Sequence, residues 1–252
     1  MTAPIVAVDV MSIYTLNDQR VPLPKRMAHA TPDMKMSIHQ LVNTLPSRGG
    51  KFILSDLYRS YDMQLQAHLD WLTKKKKAFS PEPGSSMHEA GRAFDVDLAS
   101  LRMSLAEFWM LAAGVGIVPI IAQPDKSISE CWHFECRGSH QLVFDYYLAG
   151  KGTNFKKPYA AMAASAIAAT GVKVDMFEGR MLGAQIQSGL IRLGHTIGNL
   201  DGSPGPKTHA ALASLQLGAL PPEAQIAALE TLLQQKFPGE FFDGTPQAPL
   251  LR

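Results

Sequence analysis

The chain has 252 residues, 46% of them hydrophobic and 18% charged, a balance that allows a sizeable core and argues against disorder. That length fits one large domain or two modest ones. The formal net charge of +2 is too small to argue for nucleic acid, although a mildly basic protein can still adhere to an anionic surface.

Residues 1–10 are apolar but carry Asp9 and no basic start, so a secretory signal is not expected. Residues 1 to about 30 give no clear periodic signal; Pro4, Pro22 and Pro24 are breakers, and 21–25 reads as an extended connection. Met36, Ile38, Leu41, Val42 and Leu45 recur at helical spacing, with Thr31-Pro32 as the helix start. Residues 51–57 read as a short strand. Residues 61–75 read as a helix with Leu65, Leu69 and Leu72 on one side. The lysines at 74–77 read as its solvated end, where cations suit the helix dipole. Residues 80–86, rich in Pro, Gly and Ser, form a loop.

Residues 93–98 alternate, with Phe94, Val96 and Leu98 on one face and Ala93, Asp95 and Asp97 on the other. This is the pattern of a half-buried strand. A helix over 104–113 and a turn at 114–116 follow. The strand candidate at 117–122 is demoted toward an edge by Pro119. Residues 131–136 form another strand, in which Trp132 and Phe134 face the core if His133 faces a site. Cys131 and Cys136 point to opposite faces of that strand, so small apolar roles are expected for them rather than a disulfide. The element order predicts an α+β fold with a small, mostly antiparallel sheet and flanking helices.

After Gly150 the composition changes. The Ala-rich run at 159–170 is too short and too weakly hydrophobic to span a bilayer, and reads as a linker or linking helix. Helical character returns from 172, around a turn-rich centre at 194–208. The last helix, 222–236, carries Ile226, Leu229, Leu232 and Leu233 at helical spacing. Residues 238–252, rich in Pro and Gly, read as a loosely ordered tail. The expected division is a domain over 1–155, a linker at 156–171, a small all-α bundle over 172–237, and the tail.

The residues that carry chemistry lie in two segments, Ser86-Met87-His88-Glu89-Ala90-Gly91-Arg92-Ala93-Phe94-Asp95 and Glu130-Cys131-Trp132-His133. Two imidazoles and one carboxylate are a common protein share of a catalytic zinc, with a fourth position left for water. A carboxylate beside such a site can take a proton from water and later deliver it to a leaving amine. A cation near the developing oxyanion completes the minimum set. The spacing leaves two choices open. Asp97 shares a strand face with Asp95, and strict alternation puts Glu135 with His133 and turns Glu130 away. Glu130 can therefore serve only from a loop or bulge at the strand's start.

The Ser-x-His-x-x-Gly-x-Ala-x-Asp pattern at 86–95, with Pro83-Gly84 before it, resembles the signature of the zinc D-Ala-D-Ala carboxypeptidase family and its related cell-wall L-Ala-D-Glu endopeptidases. Glu130-Cys131-Trp132-His133 resembles the family's second signature. Ser55-Asp56-Leu57-Tyr58-Arg59-Ser60-Tyr61, with Gln64 following, resembles its Tyr-Arg-Ser segment. The resemblance covers roughly residues 35–145. It implies a zinc cofactor held by His88, Asp95 and His133, with Glu130 as general base and Arg59 as the cation that binds and polarises the substrate carbonyl. It further implies Ser86 and Tyr58 as substrate contacts, and leaves Glu135 behind the ligands or on the open strand face. His29, His39, His68, His140, His195 and His209 lack comparable spacing; His140 alone is near enough in sequence to be considered as a substrate contact.

Farther on, Ile186-Gln187, Leu190, Leu193-Gly194, the run Asp201-Gly202-Ser203-Pro204-Gly205-Pro206-Lys207-Thr208, Ala211-Leu212 and Leu215-Gln216 together resemble the small helical peptidoglycan-binding domain. Ser203 stands where that family usually has an aromatic residue. The two resemblances imply a zinc metallopeptidase, a peptidoglycan hydrolase that cuts an amide bond in the peptide stem while its C-terminal domain holds the wall. A wall-binding domain without a signal peptide resembles a phage endolysin with L-Ala-D-Glu endopeptidase activity. Such a protein is made in the cytoplasm and reaches the wall or periplasm on lysis, or by non-classical export. D-Ala-D-Ala carboxypeptidase activity is the alternative. A non-catalytic wall-binding or virion structural protein is the alternative of another class. The expected partner is peptidoglycan, with no nucleic acid and no membrane insertion, and the chain is expected to act as a monomer.

Overall fold

The computed structural model describes residues 4–242. The first half of the chain builds strands β1 (Val6–Ala7), β2 (Met11–Leu16), β3 (Gln19–Pro22) and β4 (His29–Ala30), then helix α1 (Pro32–Thr44). Strand β5 (Leu54–Asp56), helix α2 (Tyr61–Leu72), strand β6 (Ala93–Val96), helix α3 (Leu105–Gly114) and strands β7 (Val118–Pro119) and β8 (His133–Glu135) follow. From there the described chain is helical: α4 (Gln141–Leu148), α5 (Pro158–Ala169), α6 (Met181–Leu193), α7 (Pro206–Ser214) and α8 (Pro222–Lys236). The fold is thus α+β, and no described helix is long and apolar enough to cross a membrane.

Local chemistry accounts for several of these boundaries. β2 and β3 pair Leu16 with Gln19 across a two-residue loop in which Asn17 and Asp18 have φ of 51° and 61°. Such a turn matches the twist of paired strands, and Asn and Asp tolerate it. Helix α1 starts with Pro32 after an extended Thr31, where a missing N–H costs nothing. The Ser60 side chain caps α2, and Ser104 with Glu107 forms a capping box at α3.

The main sheet has the order β3-β2-β5-β6-β8-β7. β2 and β5 run parallel; the other neighbours are antiparallel. β7 is the edge strand, as Pro119 requires. One face of the sheet is covered by α1 and α3, with Met34, Ile38, Leu41 and Phe108 buried among Leu54, Phe94 and Phe134. The rings of Phe94 and Phe134 stack at 5.8 Å, and Phe108 meets Phe134 edge-on at 4.9 Å. With Phe94 and Phe134 anchored in this core, period-2 alternation turns Asp95 and His133 to the opposite face.

Three stretches show what the sequence pattern left open or placed differently. Helix α2 forms with Leu65, Leu69 and Leu72 at helical spacing, but these leucines are exposed, and the buried residue of that helix is Gln64. The stretch at 156–171, expected as a linker or linking helix, contains α5, in which every side chain from Ala161 to Ala168 is buried. It shares one apolar cluster with Met87, Ala90 and Ala93 beside the site, with Val143 and Tyr146 of α4, and with Ile186, Leu190 and Leu229 of α6 and α8. Alanine gives a segment little hydropathy, but its small side chain lets neighbouring helices approach closely, so composition understated this helix. The expected tail begins as a 3-10 turn at Pro238–Glu240, with Glu240 and Phe241 buried. Glu240 takes hydrogen bonds from the Ser139 backbone N–H and hydroxyl and from Arg192, and ion-pairs with Arg92 at 3.3 Å. The remainder of that stretch, 243–252, lies outside the described residues.

Candidate active site

Adjacent strands bring the central residues into register. Asp56 pairs with Asp95 between β5 and β6, and Asp95 pairs with His133 between β6 and β8. His88 comes from the loop before β6, which winds through successive turns from Ser86 to Arg92. Glu89 holds that loop: its buried carboxylate accepts the N–H groups of Gly84 and Ser86 at 3.0–3.2 Å. Burial pushes its pKa up to about 7 against those hydrogen bonds. Gly91 has φ of 63° and lies against Ile5 and Ala30, so a side chain there would meet both strain and neighbours.

His88, Asp95 and His133 converge, each offering one ligand atom within 4.8 Å of the others, and all three are buried. Asp95 Oδ1 lies 3.3 Å from His88 Nε2 and 3.0 Å from His133 Nδ1. Ligands of a tetrahedral metal with bonds of about 2.0–2.1 Å are separated by roughly 3.3 Å, close to these spacings. The outer atoms fix the tautomers. His88 Nδ1 donates to the Leu57 carbonyl at 2.7 Å, and His133 Nε2 donates to Glu135 Oε1 at 3.2 Å. In the neutral rings this leaves the inner nitrogens as lone pairs, facing a carboxylate that can only accept. Three acceptors aimed at one point need a cation between them, either a proton or a metal. The donor set therefore fits a divalent metal such as zinc.

Electrostatics agree. Burial would raise the Asp95 carboxyl, but His88 and His133 beside it hold it well below the usual carboxylate range. Burial would lower His133, yet its hydrogen bonds to Asp95 and Glu135 and their charges push its pKa up to about 10. Glu135 is fully buried and also accepts from Arg137 at 2.8 Å and from the Tyr159 hydroxyl at 2.6 Å. It stands behind His133 and orients the ring. A carboxylate that fixes a ligating imidazole from the far side raises its basicity.

The three residues sit in the wall of a cleft of about 790 Å³. Arg59, Ser86, Glu130, Trp132 and Tyr159 line the same cleft. Glu130 occupies the turn before β8 with φ of 70°, and its carbonyl accepts the His133 N–H at 2.9 Å. That left-handed residue breaks the alternation, so Glu130 and His133 share the cleft. Burial, and then the charge of Asp95, raise the pKa of Glu130. Arg59 is held by Asp56 at 2.6 Å through Nε and by Gln64 at 3.1 Å, and lies 3.8 Å from Asp95. This explains why Gln64 is the buried residue of α2.

The open choices are thereby placed. Asp97 turns away, to Arg20 at 3.1 Å and Ser100 at 2.5 Å. Trp132 is half-buried: it packs against the core cluster, as expected, and also lines the cleft. Tyr58 is not brought to the cleft wall; its ring meets His29 edge-on at 5.9 Å. His140 lies away from the cleft, fully buried and hydrogen-bonded to Ser165 at 2.9 Å. Burial, followed by Arg192 and Arg92, holds its pKa well below the ordinary histidine value. Cys131 and Cys136 are buried free thiols. Sequence reasoning missed Tyr159 altogether, because its partner Glu135 lies 24 residues away and Tyr159 itself falls in the stretch read as a linker.

Comparison with known families finds no matching family model, and comparison with curated proteins finds no match. Among solved structures, the chain is similar to the LdcB LD-carboxypeptidase, whose structure is described as revealing the molecular basis of peptidoglycan recognition. The match has 18% sequence identity and a TM-score of 0.40, and covers 52% of this chain and 66% of that one. The chain thus spans just under two thirds of that protein's length.

Proposed function

We propose that this protein is a metal-dependent peptidase that cuts an amide bond in the peptide stem of peptidoglycan, with zinc as its cofactor. The observation that carries the reading is the convergence of His88, Asp95 and His133 in the wall of a cleft that Glu130 and Arg59 also line. The cell-wall substrate is supported by the signature residues around these positions.

A divalent metal bound by the three donors would polarise a carbonyl and lower the pKa of water beside it. Glu130, whose carboxyl is pushed upward by burial and by the charge of Asp95, takes the proton of the attacking water and returns it to the leaving amine. Arg59, kept on the cleft wall by Asp56 and Gln64, presents positive charge to the substrate carbonyl as negative charge develops there. Ser86, buried at the cleft, is a candidate hydrogen-bonding contact for the peptide. Helices α6 to α8 carry the wall-binding resemblance and would hold the enzyme at its substrate, raising the effective concentration of stems. In this reading the protein works as an endolysin-type L-Ala-D-Glu endopeptidase, with D-Ala-D-Ala carboxypeptidase as the alternative reaction.

The test is mass spectrometry of purified peptidoglycan digested by the zinc-loaded protein, with Glu130→Ala as the control. Paired new L-Ala C-termini and D-Glu N-termini establish the endopeptidase. Release of free D-Ala alone makes it a carboxypeptidase. Retained wall binding with no product from either protein would overturn the catalytic reading in favour of a structural one.

A further inference from the structure

The run of four lysines at 74–77 is not uniformly solvated. Lys74, Lys75 and Lys77 are exposed, whereas Lys76 is half-buried and lines the cleft beside Arg59, Asp95 and Glu130. The backbone is shaped to put it there. Helix α2 ends at Leu72, Lys74 takes a φ of 60°, and the chain turns back so that the Lys76 N–H bonds to the Asp70 carbonyl at 3.0 Å. A left-handed lysine is an uncommon way to end a helix, and its result is to aim the next cation but one inward.

Once inside the cleft, Lys76 has no charged partner among the described residues. Asp56 is taken by Arg59, and Asp95 by the two histidines. Among the described residues, no carboxylate lies within 4.0 Å of the Lys76 ammonium and no side-chain hydrogen bond reaches it. A half-buried cation left unpaired near a second cation is unfavourable by itself, and a bound anion would relieve it. Burial, then the charge of Arg59, lower its pKa, while Asp56, Asp95 and Glu130 act in the other direction.

The peptide reading of the cleft supplies such an anion. In the L-Ala-D-Glu bond, D-Glu continues the stem through its γ-carboxyl, so its α-carboxylate stays free on the carbon bonded to the scissile nitrogen. In D-Ala-D-Ala the terminal carboxylate occupies the equivalent place. We propose that Lys76 binds this free α-carboxylate and is the residue that selects substrates carrying one next to the scissile amide. The assignment rests on the peptidase reading above and holds for either bond.

The experiment is calorimetric binding to the zinc-loaded Glu130→Gln protein, repeated with the metal-free unsubstituted protein. The probes are the pentapeptide L-Ala-γ-D-Glu-L-Lys-D-Ala-D-Ala and its analogue with both α-carboxyl groups converted to amides. Removing either side of a charge-assisted hydrogen bond should weaken binding by roughly tenfold or more. Amidation and Lys76→Met should each have that effect, together they should weaken binding little more than either alone, and Lys76→Arg should retain most of the affinity. Equal binding of the two peptides by the unsubstituted side chain overturns the assignment and leaves the peptidase reading intact, whatever the folding of the variants. The assignment also falls if Lys76→Met, with metal content and melting temperature unchanged, weakens both peptides alike. Absence of binding by either peptide to either protein overturns the peptidase reading, and the role of Lys76 with it.

Discussion

The hydroxyl of Tyr159 donates a 2.6 Å hydrogen bond to Oε1 of Glu135. The same oxygen accepts from Nε2 of His133, whose Nδ1 faces Asp95. A residue at the start of α5 therefore sets the far side of the candidate metal site. The helical half of the chain is part of the site's construction, since α5 also shares one buried apolar cluster with Met87 and Ala90 of the loop that carries His88.

If Glu130 carries the proton, Glu130→Gln should lower peptide hydrolysis by about 10²- to 10⁴-fold. The fold and the metal content should stay unchanged, because Glu130 is not one of the three converging donors. Product analysis by mass spectrometry, with metal content measured alongside, checks this. Residual activity within a few-fold of the parent would exclude Glu130 as the base.

Glu135 touches His133 and Tyr159 but does not line the cleft. Glu135→Gln should weaken metal affinity by about 10- to 100-fold, the usual cost of losing an orienting partner. Tyr159→Phe should have a smaller effect in the same direction. Competition with a chromophoric chelator measures both. Unchanged affinity in the Glu135 variant would show that His133 is held by its packing alone.

Metal binding should release a proton. In the metal-free protein the His133 pKa is pushed up to about 10, above the unfolded value of about 6.5. The protonated ring therefore contributes stability that is complete below pH of about 6.5 and is lost as pH rises through about 10. Over that window a metal must displace the proton, so affinity should climb by up to about tenfold per pH unit. Calorimetry at pH 7.5 in buffers of different ionisation enthalpy should count about one proton released per metal bound. A count of zero would mean that His133 is already neutral.

Glu240 accepts from Arg192 at 2.6 Å and pairs with Arg92, and all three are buried. Glu240→Ala leaves two buried guanidinium groups short of a counter-charge. Breaking such a buried network from one side should cost about 3–5 kcal/mol of stability, read by denaturant unfolding. Asp33, which bonds Arg92 at 2.7 Å, offsets part of the loss at that arginine, so Arg192 should be the more affected partner. A change of less than about 1 kcal/mol would show that water replaces the carboxylate.

Much of the site was legible in the chain itself. Alternation at 93–98 sent Phe94 inward and Asp95 outward, and the segments around His88 and Glu130 marked the residues that now line one cleft. Those signals are local: they follow from strand period, turn residues and short spacings, which operate over a few neighbouring positions. Helices were legible for the same reason, and α8 spans the predicted 222–236. Tertiary structure decided the rest. Only packing separates Asp95 from Asp97, because Arg20 lies 77 residues from the aspartate it captures. Only the left-handed turn at Glu130 sets it beside His133. The support of His133 by Tyr159 and the seating of Glu240 between two arginines depend on contacts between residues far apart in the chain. Pattern along a sequence fixes which face a side chain takes, but its partner is chosen by whichever distant segment the core brings against that face.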